Sequence, residues 1–151
     1  MRRLALPVLL FALAFTCAAA REETVEQLKS RFQNASLHLE DRPALAMRIA
    51  QRQLLAAGTF YRDGNAGQAR AAVEDIVAYS EKARDAATQT GKHLKSVEIN
   101  VRRMAVSLAD IKRTLAFDDQ APVDQAIRRL EDVRTTLLKA MFAKDNKKEK
   151  Q

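Results

Sequence analysis

The amino-acid sequence predicts an all-α fold, and three observations predict it. Alanine, leucine, glutamine, arginine, lysine and glutamate dominate the chain beyond residue 20, and these residues lose little side-chain freedom in a helix. No run alternates apolar and polar residues for long enough to make a strand. Apolar residues instead recur three and four apart, in blocks divided by a few proline, glycine and acidic breaks. The predicted architecture is an antiparallel helical bundle built around a long helix over residues 66–117, straight or kinked. A helical hairpin over 24–64 and a C-terminal helix over 122–143 complete it.

The first twenty residues read as a leader rather than as fold. Arg2 and Arg3 form a basic start, Leu4 to Phe15 is an apolar run broken only by Pro7, and Ala18-Ala19-Ala20 offers small residues for cleavage. This is the pattern of a secretory signal cleaved near Ala20, and the run is shorter than the roughly 20 residues a bilayer needs. The expected location is therefore periplasmic or extracellular. Cys17, the single cysteine, follows Ala14-Phe15-Thr16, which does not fit a lipidation box. It is expected to leave with the signal, and with it go disulfide and thiolate chemistry. Residues 21–143 then form one helical domain with room for a core, and residues 144–151 a disordered basic tail.

The first helix is expected from Thr24 to Leu39, with Val25, Leu28, Phe32, Ala35 and Leu39 on one stripe and Thr24 as cap. Asp41 and Pro43 mark a corner, since proline is tolerated in a first turn. The second helix runs to Arg62, presenting Ala46, Ile49, Ala56 and Phe60, with Leu45 and Leu55 beside them. Asp63-Gly64-Asn65 breaks it. Asp118, Asp119 and Pro122 announce the last helix, which carries Val123, Ile127, Leu130, Leu137 and Met141.

The stretch between holds the longest pattern. Val73, Ile76, Ser80, Ala83, Ala87, Thr90, Leu94, Val97, Val101, Met104, Leu108, Ile111 and Leu115 are spaced three and four apart without a slip. A loop at Gly91 would have no reason to keep that phase, so the pattern favours one helix of about 75 Å. A break there would give a five-helix bundle burying the same residues.

The glycines at 58, 64 and 67 raise the question of a ligand loop. A helix precedes them, and Gly67-Gln68-Ala69-Arg70 has neither phosphate-loop nor dinucleotide spacing. Asp63-Gly64-Asn65 lacks the repeated carboxylates of a calcium loop. A helical corner explains the residues better: Phe60, Gly64, Ala69, Val73 and Ile76 fall 4, 5, 4 and 3 apart, with small Ala57 upstream. Residues 46–80 resemble a single tetratricopeptide-repeat-like helical hairpin. The resemblance implies that Gly64 opens the turn, with Asn65 beside it, and that Ala69 lets the paired helices approach. The family's closing proline is absent, Glu81 standing near its place, and no second copy follows at the 34-residue period. The likeness thus implies a hairpin with an interaction-type surface rather than a peptide-binding superhelix.

No catalytic or cofactor constellation emerges. His38 and His93 have no carboxylate three residues before them, so the di-iron pattern is missing. The serines lie on helix faces with no glycine elbow. No catalytic, metal or cofactor residue is expected, and no cofactor. Lys92, Lys95, Arg102, Arg103, Lys112 and Arg113 cluster on the polar side of 66–117, a candidate patch for an anionic membrane surface or an acidic protein. Nucleic acid is not expected, since base stacking wants aromatics and few are present. Leu94, Val97, Val101, Met104, Leu108, Ile111 and Leu115 form a candidate interaction seam for self-association. The expected function is that of an exported, non-enzymatic helical protein acting through protein–protein contacts: an envelope scaffold, chaperone-like or oligomerising component. A ligand- or metal-binding bundle and a small envelope enzyme are the alternatives.

Overall fold

The computed structural model describes residues 23–34 and 36–148, with side chains as far as Lys144. The expected signal, with Cys17, and residues 149–151 lie outside them. Five helices follow in order, α1 (Val25–Gln33), α2 (Arg42–Arg62), α3 (Ala66–Thr90), α4 (Leu94–Arg113) and α5 (Phe117–Lys148). The fold is all-α, a bundle of helices packed on one another.

Thr24 starts α1 with a reciprocal box. Its hydroxyl accepts from the Gln27 N–H, and the Gln27 side chain accepts from the Thr24 N–H. The helix ends at Gln33, six residues short of the expected Leu39, because the Asn34 carboxamide accepts from the Ser36 N–H and pulls the chain into turns. Leu28 and Phe32 are buried, and Phe32 meets Tyr79 of α3 edge-on at 5.5 Å. Lys82 lies over both rings and Arg42 over Phe32.

α2 and α3 form one antiparallel hairpin, and α4 and α5 a second. The hairpins stack so that α3 lies on α5 and α2 on α4, each stacked pair running parallel. Arg70–Asp119 and Glu81–Arg129 fix the first pair at 2.7 Å each. Gln51 donates to Asn100 and Gly58 faces Ile111 in the second. The core between them holds Ile49, Ile76, Val101, Leu108, Leu130 and Leu137, all fully buried. Each such side chain contributes about 1.5–3 kcal/mol. Ser80, Ala83 and Ala87 are equally buried, and the Ser80 hydroxyl is satisfied by the Ile76 carbonyl. Small residues here let α3 sit close to its neighbours.

The expected continuous helix over 66–117 is divided. Gly91 ends α3 at φ +66, and His93 starts α4 at φ +63, also left-handed. Lys144 donates to the Gly91 carbonyl and Lys92 pairs with Glu40 at the corner. The reason is burial. One helix of 75 Å would leave half its stripe uncovered within a single chain, whereas folding back puts both halves in one core. Both halves of the stripe face that core.

The last helix also begins earlier than expected, at Phe117, so Pro122 sits inside it and forfeits one backbone hydrogen bond. It continues to Lys148, so residues 144–148 of the expected disordered tail are helical.

Candidate functional site

The glycine corner is the turn of the α2–α3 hairpin. Gly64 is left-handed at φ +75, and Asn65 donates its N–H to the Phe60 carbonyl at 2.8 Å. Ala69 is fully buried. A side chain at Gly64 or Gly67 would meet nothing within 4 Å, so the corner is exposed rather than enclosed.

The expected interaction seam is turned inward. Leu94, Val97, Val101, Met104 and Leu108 are buried, and Ile111 and Leu115 pack half-buried against the same core. The chain's own helices cover it.

The basic patch divides. Lys92 pairs with Glu40, Lys112 with Asp124 at 2.8 Å, Arg113 with Asp110 at 2.8 Å, and Arg102 lies 4.0 Å from Glu98. Lys92 in turn holds the Glu40 carboxyl below its ordinary range, chiefly by hydrogen bond. Lys95 and Arg103 are exposed and, among the described residues, have no carboxylate partner.

Arg128 and Lys139 of α5 share that condition, and a patch along residues 92–113 does not include them because they belong to a different helix. The register set by Lys112–Asp124 and Glu98–Arg134 brings Val106 level with Arg128. Val106 is 59% exposed, so an uncovered apolar side chain sits among unpaired cations on the outer side of the α4–α5 hairpin. Phe117 and Phe142, exposed near the two ends of α5, extend its apolar content.

Charge is distributed just as unevenly. Glu23 to Gly91 contains nine basic and nine acidic residues, whereas Lys92 to Gln151 contains 14 basic and nine acidic. In the first half the described cations all have partners. Lys29 and Gln53 both donate to Asp75, Arg31 and Arg48 bind Glu23, Arg84 binds Asp85, and Arg62 donates to the Thr59 hydroxyl.

Glu98 is a further residue that no motif in the sequence points to. Its side chain is nearly buried and accepts from Arg134 Nε at 2.8 Å, across the α4–α5 hairpin. That hydrogen bond raises the affinity of Arg134 for its proton. The pair pins α4 to α5, and Glu131 adds a longer contact to Arg134 at 3.5 Å. Among the described residues no group of three or more histidine, cysteine, aspartate or glutamate side chains could hold a metal. None of the described helices is long and apolar enough to cross a membrane.

Fold and surface together define an all-α bundle with one basic hairpin. No family model, curated protein or solved structure matches the chain.

Proposed function

We propose that the protein is an exported, non-enzymatic helical protein whose outer α4–α5 face docks on an acidic protein partner. One observation carries this reading. Every described cation without a partner lies on that hairpin, at Lys95, Arg103, Arg128 and Lys139, and exposed Val106 lies among them. Unpaired cations retain their full attraction for an incoming anion, because no intramolecular bond must first be broken. Exposed Phe117 and Phe142 suit a protein surface, where aromatics supply much of the contact energy. A membrane surface is less well matched: apart from these two rings near the ends of α5, Val106 is the one large exposed apolar side chain here. Interfacial anchoring needs a continuous apolar face.

The test compares two probes, poly-glutamate and vesicles rich in phosphatidylglycerol, at several salt concentrations. The expected result is binding to poly-glutamate that weakens with salt and falls at least about tenfold in Arg103→Glu/Arg128→Glu. Equal loss on reversing the paired residues Arg31 and Arg48 would refute the assignment of the face. Tight binding to vesicles with none to poly-glutamate would replace the protein partner with a membrane.

A further inference from the structure

We propose that this chain has a second folded arrangement, a dimer in which two copies exchange their α4–α5 hairpins. In it residues 91–93 rewind, and α3 and α4 join into the single long helix that the heptad pattern describes. The partner is a second copy of the same chain, and the exchanged surfaces are those that already pack α3 on α5 and α2 on α4.

Three independent observations meet at the corner. First, the seam keeps one phase through it, from Val73, Ile76, Ser80, Ala83 and Ala87 to Leu94, Val97, Val101, Met104 and Leu108, and all ten residues are buried. A corner fixed for good places no demand on phase, since each helix could turn its own stripe to the core. A rewound helix needs the phase, because both halves must then face the same side.

Second, the corner is short and conformationally expensive. Two of its three residues are left-handed, and one of them is His93, a side-chain-bearing residue that disfavours that region. No side chain caps the start of α4. Rewinding would move both residues to ordinary helical angles. It would also pair the free N–H groups of α4's first turn with the free carbonyls of α3's last turn. Three bonds at the corner oppose the change, the Lys92 side chain to Glu40, Lys144 to the Gly91 carbonyl, and the Lys92 N–H to the Thr90 hydroxyl, and all are exposed.

Third, the helix directions permit the exchange. α4 returns against α3, and α5 returns again, so α5 runs parallel to α3 within one chain. When α4 instead continues α3, α5 runs antiparallel to that long helix. Two such chains related by a two-fold axis place α5 of one copy parallel to α3 of the other, as in the monomer. Arg70–Asp119, Glu81–Arg129 and Gln51–Asn100 then re-form between chains with unchanged geometry. Short, strained corners between helices are a known route to such exchange.

The experiment is refolding from denaturant at high protein concentration, followed by gel filtration with light scattering. Gly91→Ala disfavours the left-handed corner and favours the helix. Its added carbon meets only Lys144 Nζ, at 3.8 Å, so the packed helices are untouched. The dimer-to-monomer ratio is expected to rise at least about tenfold. His93→Ala should move it the same way, and His93→Gly, which relieves the corner, the opposite way. Exchange itself is read by a short bismaleimide joining cysteines placed at Glu81 and Arg129, in a Cys17→Ser background. The bridge should lie between chains in the dimer fraction and within the chain in the monomer. Gly91→Ala and His93→Ala proteins that both stay monomeric overturn the proposal, as does a dimer whose bridges all stay within single chains.

Discussion

The α1–α3 half and the α4–α5 hairpin are made of the same residue types, yet they handle charge in opposite ways. In α1–α3, Lys29, Arg31, Arg48 and Arg84 each meet a carboxylate, and Arg42 and Lys82 lie on aromatic rings. In α4–α5, Lys95, Arg103, Arg128 and Lys139 are left without one, although Glu98 and Asp124 are engaged close by. The difference teaches that surplus charge here is localised rather than spread, and that pairing follows from which helix lies opposite. The half carrying α1 has a third helix over its hairpin; no other described helix lies on the outer face of the α4–α5 hairpin.

The largest expected effect lies in the core both halves share. Leu108→Ala should cost about 2–5 kcal/mol, read by denaturant unfolding. Val101→Asp and Leu108→Asp should leave no folded protein by circular dichroism, since each would strand a charge among fully buried neighbours. A well-folded Leu108→Asp protein would mean that this stripe is open rather than covered.

Next comes the pin within the basic hairpin. Glu98→Ala should cost about 2 kcal/mol, because it leaves a partly shielded Arg134 with only its long contact to Glu131. Glu131→Ala, which removes only the longer 3.5 Å contact to Arg134, should cost under about 1 kcal/mol. Equal losses would remove the distinction between pinned and exposed charge on this hairpin.

At the corner of the paired half, two glycines should respond with opposite signs. Gly64→Ala should destabilise by about 1–2 kcal/mol, since its φ of +75 is unfavourable for alanine. Gly67→Ala, in a helical first turn with open space around it, should stabilise by about 0.5–1 kcal/mol. Thermal melts of the two variants against the parent settle the signs.

Tyr61 lies where the halves meet. Among the described residues its buried hydroxyl has no hydrogen-bond partner, and burial, then the Asp119 carboxylate, raise its affinity for its proton. A phenol whose folded pKa is raised contributes stability that is complete below its unfolded value of about 10 and fades as pH rises through the folded value. Tyr61→Phe should therefore gain about 0.5–1 kcal/mol near neutrality and lose less stability than the parent as pH rises above about 10. An alkaline unfolding series on both proteins measures this.

The smallest effects should come from the unpaired cations. Lys95→Ala, Arg103→Ala and Arg128→Ala should each change stability by less than about 0.5 kcal/mol, whereas Arg129→Ala, which loses Glu81, should cost up to about 1 kcal/mol. If the unpaired set proved the more costly, these residues would be structural and the docking face would lose its support.

Much of this molecule was legible in its periodicity. The helical content, the cap at Thr24, the breaks near Asp41 and Asp63-Gly64-Asn65, and the stripes through Ile49, Ile76, Leu108 and Leu130 all follow from spacings of three and four. These are local rules, acting within one or two turns. The early end of α1 was hidden because Asn34 acts on the backbone two residues away and stops a helix whose apolar spacing continues. The unpaired cations of α5 were hidden because periodicity along one helix says nothing of which side chains a neighbouring helix presents beside it.

What the sequence by itself determined, then, is an all-helical chain whose apolar stripes must be buried. Only the tertiary structure decided where the long seam divides, which partners lie across from it, and which charges stay free. Gly91 permits either a helix or a corner, and the corner wins in one chain because it buries both halves of the seam at once. The pairs Glu98–Arg134, Glu81–Arg129 and Arg70–Asp119 join residues 36 to 49 positions apart. No pattern with the period of a helix can specify contacts at that separation.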